Sequence, residues 1–177
     1  MDLSLQSADQ AEEQLVSELA RLGIGYLSRQ SAANSSRVYA PHEVMTGLVC
    51  QPSSRVRSAL IALLLARPDY CVFIPQALRL LNSSQAQILR FFYTAAVNLQ
   101  QIYAQDLQPS LGTEWRNLPD LFSDGLGLTG DSPAARLGNL ARLHARWSGE
   151  NLNWAGTYES AARHLLRRWD KEKTWKA

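Results

Sequence analysis

The chain has 177 residues, 46% apolar and 19% charged, which is enough apolar material for one hydrophobic core and too much for disorder along the whole length. A net charge of +2 points to no polyanionic partner by itself, and two cysteines are too few for a disulfide scaffold. The strongest apolar run, Ala59 to Ala66, has 8 residues, far short of the roughly 20 needed to span a bilayer.

The N-terminus, Met1-Asp2-Leu3-Ser4, has no basic region ahead of an apolar stretch and does not read as a signal peptide. A reducing, cytoplasmic setting is therefore expected, with Cys50 and Cys71 as buried free thiols in apolar surroundings. Ser7 before Ala8-Asp9-Gln10 matches a capping box and predicts a helix from Ala8 to Leu27, with Leu15, Leu19, Leu22 and Tyr26 as its apolar stripe. Gly23 and Gly25 weaken its last turn. Arg29 to Arg37, dominated by Ser, Ala and Asn, reads as a loop.

Pro41 opens a short helix carrying Val44, Met45 and Leu48. Pro52 and Ser53 then break and cap, and Ser54 to Arg67 is so apolar over Val56, Leu60, Ile61, Leu63, Leu64 and Leu65 that it is predicted to be central. Tyr70 to Ile74 is the one stretch compatible with a strand, and equally with a helical turn. The longest periodic segment runs from Gln85 to Leu107 and is expected to end at Pro109.

From Pro109 to Ser132, glycines, prolines and aromatics replace periodicity. This predicts a folded connector anchored by Trp115 and Phe122, with a domain boundary at 109–132 as the rival reading. Ser132-Pro133 caps a helix from Ala134 to Trp147 whose stripe is Leu137, Leu140, Leu143 and Trp147, ended by Gly149. The last helix is expected near Thr157, carrying Tyr158, Ala161, Ala162, Leu165 and Trp169. The fold class that follows is all-α or mainly α, a single domain of six to eight helices with an irregular connector.

No motif carries catalytic chemistry. Three histidines without HExxH or Cys-x-x-Cys support no metal site, and neither GxxxxGK[ST] nor GxSxG occurs. Gly125-Leu126-Gly127-Leu128-Thr129-Gly130 follows no strand and lacks the Lys-Ser pair of a phosphate loop. The Arg37 to His42 spacing of small helical ribonucleases is interrupted by Pro41. No cofactor or metal is expected, and a binding role is favoured over an enzymatic one.

Charge is unevenly distributed. From Arg136 onward there are 9 Lys or Arg against 4 Asp or Glu, a net of +5, whereas residues 1–135 carry a net of -3. Such a chain could pair its own ends, pair with another copy, or offer its basic end to a polyanion. Glu12, Glu13 and Glu18 on the first helix are candidate protein contacts. Arg142, Arg146, Arg163, Arg167 and Lys171 are candidate phosphate contacts, the last three recurring at four along one face. Trp147, Trp154 and Tyr158 with Arg146 could wall a niche for an anion or nucleotide; sealing of the core is the alternative.

Three blocks, Pro52 to Pro68, Ala95 to Tyr103 and Leu143 to Tyr158, total 42 residues and carry a resemblance. The chain resembles an uncharacterised bacterial family of helical proteins that is similar to the partner components encoded beside minimal nucleotidyltransferases. The resemblance implies a non-catalytic, antitoxin-like partner that binds a nucleotidyltransferase. The expected function is a helical protein-interaction or regulatory module, with nucleic-acid binding through the basic C-terminal helices and a small enzyme as alternatives.

Overall fold

The computed structural model describes residues 3–25 and 38–176. Among the described residues there are eight α-helices and no strand, so the protein is all-α. The helices are α1 (Leu3–Arg21), α2 (Pro41–Val49), α3 (Ser54–Ala66), α4 (Ile74–Leu80), α5 (Ser83–Ile102), α6 (Ala104–Leu111), α7 (Pro133–Ser148) and α8 (Trp154–Lys176).

Two helices form the interior. Every residue of α3 from Ser58 to Ala66 is buried, as its continuous apolar run predicts. In α5, Phe91 to Gln100 are all buried. Helix α5 packs against α7 and α3, and α3 also packs against α8, so the C-terminal helices close over the two central ones. A single core cluster runs from Leu19 to Leu165 and includes residues from both sides of the 109–132 connector.

Caps set most boundaries. Ser53 Oγ accepts from the Val56 amide, Ser132 Oγ from the Ala135 amide, and Asn82 and Gln85 satisfy each other's backbone amides at the start of α5. Gly149 ends α7 at φ +67, in the left-handed region where a side chain would be strained. Gln100 holds the connector through two hydrogen bonds, donating to Arg116 O and accepting from the Leu118 amide, each at 2.8 Å. Tyr93 adds a third, from its hydroxyl to Pro119 O, while Phe122 packs edge-on against the Tyr93 ring. The connector is thus folded and anchored, Phe122 included.

Several boundaries differ from expectation. Helix α1 begins at Leu3 rather than after Ser7, and it ends at Arg21 because Gly23 turns the chain at φ +85. The predicted end at Leu27, Tyr26 and the Arg29 to Arg37 loop lie outside the described residues. Pro68 to Phe73 is a 3-10 helix leading directly into α4, which resolves the strand-or-turn ambiguity toward helix. The long segment divides at Tyr103, whose φ -103 and ψ 20 leave the helical region. Pro109 lies inside α6, where its missing N–H would have met the carbonyl of exposed Gln105, a group water can serve.

Helix α8 starts at Trp154, three residues before Thr157, because Asn153 accepts from the Gly156 amide at 3.0 Å and caps it there. Both cysteines are free; Cys71 is half-buried, but Cys50, the residue that caps the end of α2, is exposed. No single helix among the described residues is long and apolar enough to cross a membrane.

Candidate functional site

Helix α8 carries two faces of opposite character. Its inner face, Trp154, Tyr158, Ala161, Ala162 and Leu165, is buried against α3 and α7. Its outer face presents Arg163, Arg167, Arg168 and Lys171, all exposed. Four residues in a helix advance about 6 Å and about 40°, so Arg163, Arg167 and Lys171 climb one side as a shallow spiral.

The cations on that spiral are not equally available. Arg163 is tied down: it pairs with Glu159 at 2.9 Å and donates to the Tyr103 hydroxyl at 3.3 Å, which together with the Glu159 carboxylate favours its charged form. Arg168 donates to Glu172 Oε1 at 2.8 Å, and its guanidinium lies so close over Gly25 that a Cβ there would meet it at 2.7 Å. Arg167 and Lys171 have no ion pair among the described residues. A groove of about 460 Å³ opens beside them, lined among the described residues by His164, Arg167, Arg168, Lys171, Glu172 and Trp175. Trp175 is 89% exposed.

Helix α7 adds less. Arg142 hydrogen-bonds the Asn139 side chain, whose amide in turn holds Thr129 O at 2.6 Å, so Arg142 is partly engaged in fixing the connector. Arg146 is exposed one turn later.

The niche expected between Trp147, Trp154, Tyr158 and Arg146 is closed. Trp154 and Tyr158 are buried in the core, and His144 fills the space beside them. The imidazole stacks on Phe91 at 4.4 Å on one side and on Trp154 at 3.6 Å on the other, and its Nδ1 lies 2.6 Å from the Tyr158 hydroxyl. Burial, reinforced by the charge of Arg57, pushes the His144 pKa down to about 3, so the ring is neutral. The same burial raises the Tyr158 phenol. Trp147 remains half-exposed at the rim, tilted against Phe91. Burial of these rings removes Trp154 and Tyr158 as ligand contacts.

His144 escapes the sequence reading because only apolar residues were counted into the α7 stripe. The buried set is Leu137, Leu140, Ala141 and His144, and Trp147 lies at its edge. The three-and-four spacing that selects Leu137 and Leu140 also selects His144, and that is the signal that could have found it.

The acidic contacts divide as well. Glu13 is exposed and Glu12 half-buried, but Glu18 is 2% exposed and cannot serve as a surface contact. It shares the inward stripe with Leu15 and Leu19, and it is neutralised by a two-pronged pair with Arg21 at 2.9 and 2.5 Å. No group of His, Cys, Asp and Glu among the described residues could hold a metal ion.

In comparisons with known proteins, no family model, no curated protein and no solved structure matches this chain.

Proposed function

We propose that the protein is a non-catalytic helical binding module that takes nucleic acid on the outer face of α8. The observation that carries this reading is the coincidence of two exposed cations without an ion pair among the described residues, Arg167 and Lys171, with the groove they line and an exposed indole farther along the same helix. Cations held on a helix by a buried inner face can meet phosphates without any rearrangement of the fold. The net charge of +5 from Arg136 onward supports the same assignment on a chain whose total is only +2.

Fluorescence titration of labelled RNA and DNA oligonucleotides tests it, comparing the native chain with Arg167→Glu/Lys171→Glu over a range of salt. The native chain should bind with an affinity that falls as salt rises, and the double variant should lose about 10-fold or more at low salt. Equal affinity in the two proteins overturns the assignment.

A protein partner is the second reading. Val72 and Leu80, 67% and 61% exposed in the neighbouring 3-10 helix and α4, are large apolar side chains in water, which favours a protein contact there. This is where the resemblance to partner components of nucleotidyltransferases would apply, with Glu12 and Glu13 as further candidate contacts. Co-purification of a stoichiometric protein that is lost in Val72→Asp/Leu80→Asp and kept in Arg167→Glu/Lys171→Glu would favour it.

A further inference from the structure

We infer that the groove on α8 selects single-stranded over duplex nucleic acid, by taking an unpaired base onto the Trp175 indole while Arg167 and Lys171 hold the flanking phosphates; this rests on the reading of α8 as a nucleic-acid face. The inference comes from the order of chemistry around the helix. At about 100° per residue, Arg167, Lys171 and Trp175 follow one another in steps of about 40°, and Glu172 lies about 100° beyond Lys171. Around the helix the lining therefore passes from Arg167 and Lys171, through His164 and the indole, to the Arg168–Glu172 ion pair.

Each part matches one part of a nucleotide. The cations suit a phosphate, and an exposed indole offers a π-face on which any base can stack. Glu172 is neutralised by Arg168, which leaves Arg167 and Lys171 as the cations open to the backbone, and its carboxylate can still accept a hydrogen bond from a base amino group. Arg168, already bound to Glu172 at 2.8 Å, fixes that carboxylate in place. A base paired within a duplex keeps its faces stacked on its neighbours and cannot present one to Trp175, whereas a base in a single strand can.

A flat acidic protein surface would satisfy the cations but would leave the indole without a stacking partner. The groove thus fits a strand with separated phosphates and bases better than a surface of carboxylates.

The test is equilibrium binding of a fluorescein-labelled 20-nucleotide single strand and of the same sequence as a duplex, to the native chain, Trp175→Ala, Trp175→Phe and Arg167→Glu/Lys171→Glu. The single strand should bind at least about 10-fold tighter than the duplex, and Trp175→Ala should cost about 10-fold on the single strand only. Trp175→Phe should restore most of that loss, because a phenyl ring still stacks. Reversal of the two charges should weaken both ligands and flatten the log-log salt dependence by about 0.7 for the single strand and about 0.9 for the duplex for each phosphate contact removed. If both ligands bind equally and Trp175→Ala changes neither, the stacking inference falls while the nucleic-acid face stands. If neither ligand binds at low salt, both fall together.

Discussion

The two faces of α8 use the same residue types to opposite ends. Trp154 is 2% exposed and Trp175 89%, although both belong to one helix. On the inner side His144, from α7, is stacked on Trp154; on the outer side the groove lined by Trp175 also takes in His164, about three turns earlier in the helix. What separates them is the neighbourhood. On the inner face the aromatic rings are sealed by α3, α5 and α7, and the imidazole is held neutral; on the outer face the rings stand among guanidinium and ammonium groups that water keeps charged. A list of aromatic and basic residues in the C-terminal third cannot distinguish a core from a binding surface, whereas the buried stripe of the helix can.

The sharpest way to break this comparison is to empty the inner face. Trp154→Ala should cost about 3–5 kcal/mol of stability, read by urea unfolding, because it removes a buried indole from against His144, Phe92 and Tyr158. Trp154→Phe should cost appreciably less, since Trp154 Nε1 has no hydrogen-bond partner among the described residues and only volume is lost. A Trp154→Ala cost below about 1 kcal/mol would show that the aromatic cluster does not hold α8 in place.

The buried imidazole gives the next largest effect. His144 titrates near 6.5 in an unfolded chain and near 3 in the folded one, so between those values the unfolded state binds a proton that the folded state refuses. Its contribution to stability is therefore complete above about pH 6.5 and is lost as pH falls toward 3, at up to about 1.4 kcal/mol per pH unit. In His144→Phe the ring stacking persists while the titration disappears. Urea midpoints between pH 7 and 4 should fall more steeply for the native chain than for that variant, and parallel slopes would contradict the burial of His144.

The architecture was legible because its signals are local and redundant. Ser53 and Ser132 announce helix starts through caps that the structure makes, and the apolar density of Ser54 to Ala66 leaves it no place except the interior, whereas Asn82 caps α5 two residues ahead of the expected start at Gln85. The break at Tyr103 was not legible, since the apolar period continues through it and the backbone departs by one residue only. The candidate site was legible by half. Spacing of four placed Arg163, Arg167 and Lys171 on one face, but no pattern in the chain says that Glu159 and Tyr103 engage the first of them while the others make no ion pair among the described residues. For the same reason Glu18 read as surface charge: its place in the inward stripe depends on which face of α1 meets α2.

Glu18 and Glu13 extend the comparison of inward and outward faces to α1. Glu18→Lys should destabilise by about 2–3 kcal/mol, because it buries an ammonium beside Arg21 where a carboxylate had been paired. Glu13→Lys should stay within about 0.5 kcal/mol. Similar midpoints for the two variants in chemical denaturation would mean that the Glu18 pair is open to solvent. Gln100→Ala comes next, at about 1–3 kcal/mol, since it leaves the buried Leu118 amide without its acceptor and frees the Arg116 carbonyl. Hydrogen exchange should localise that loss to residues 115–119, with α7 keeping its protection.

The smallest expected change in stability decides the most about function. Arg167→Glu/Lys171→Glu touches no ion pair among the described residues and no core contact, so the unfolding free energy should move by no more than about 0.5 kcal/mol, as is typical of surface substitutions. The reversal keeps a like-charge pair at 167 and 171, now of carboxylates, while it sets a carboxylate at 167 against Arg163 four residues earlier, so the helix itself should change little. If the variant unfolds easily, the outer face belongs to the fold and its cations are structural. If it stays as stable as the native chain while losing its ligand, the two faces of α8 separate in experiment as they do in space: one holds the protein together, and the other is free to bind.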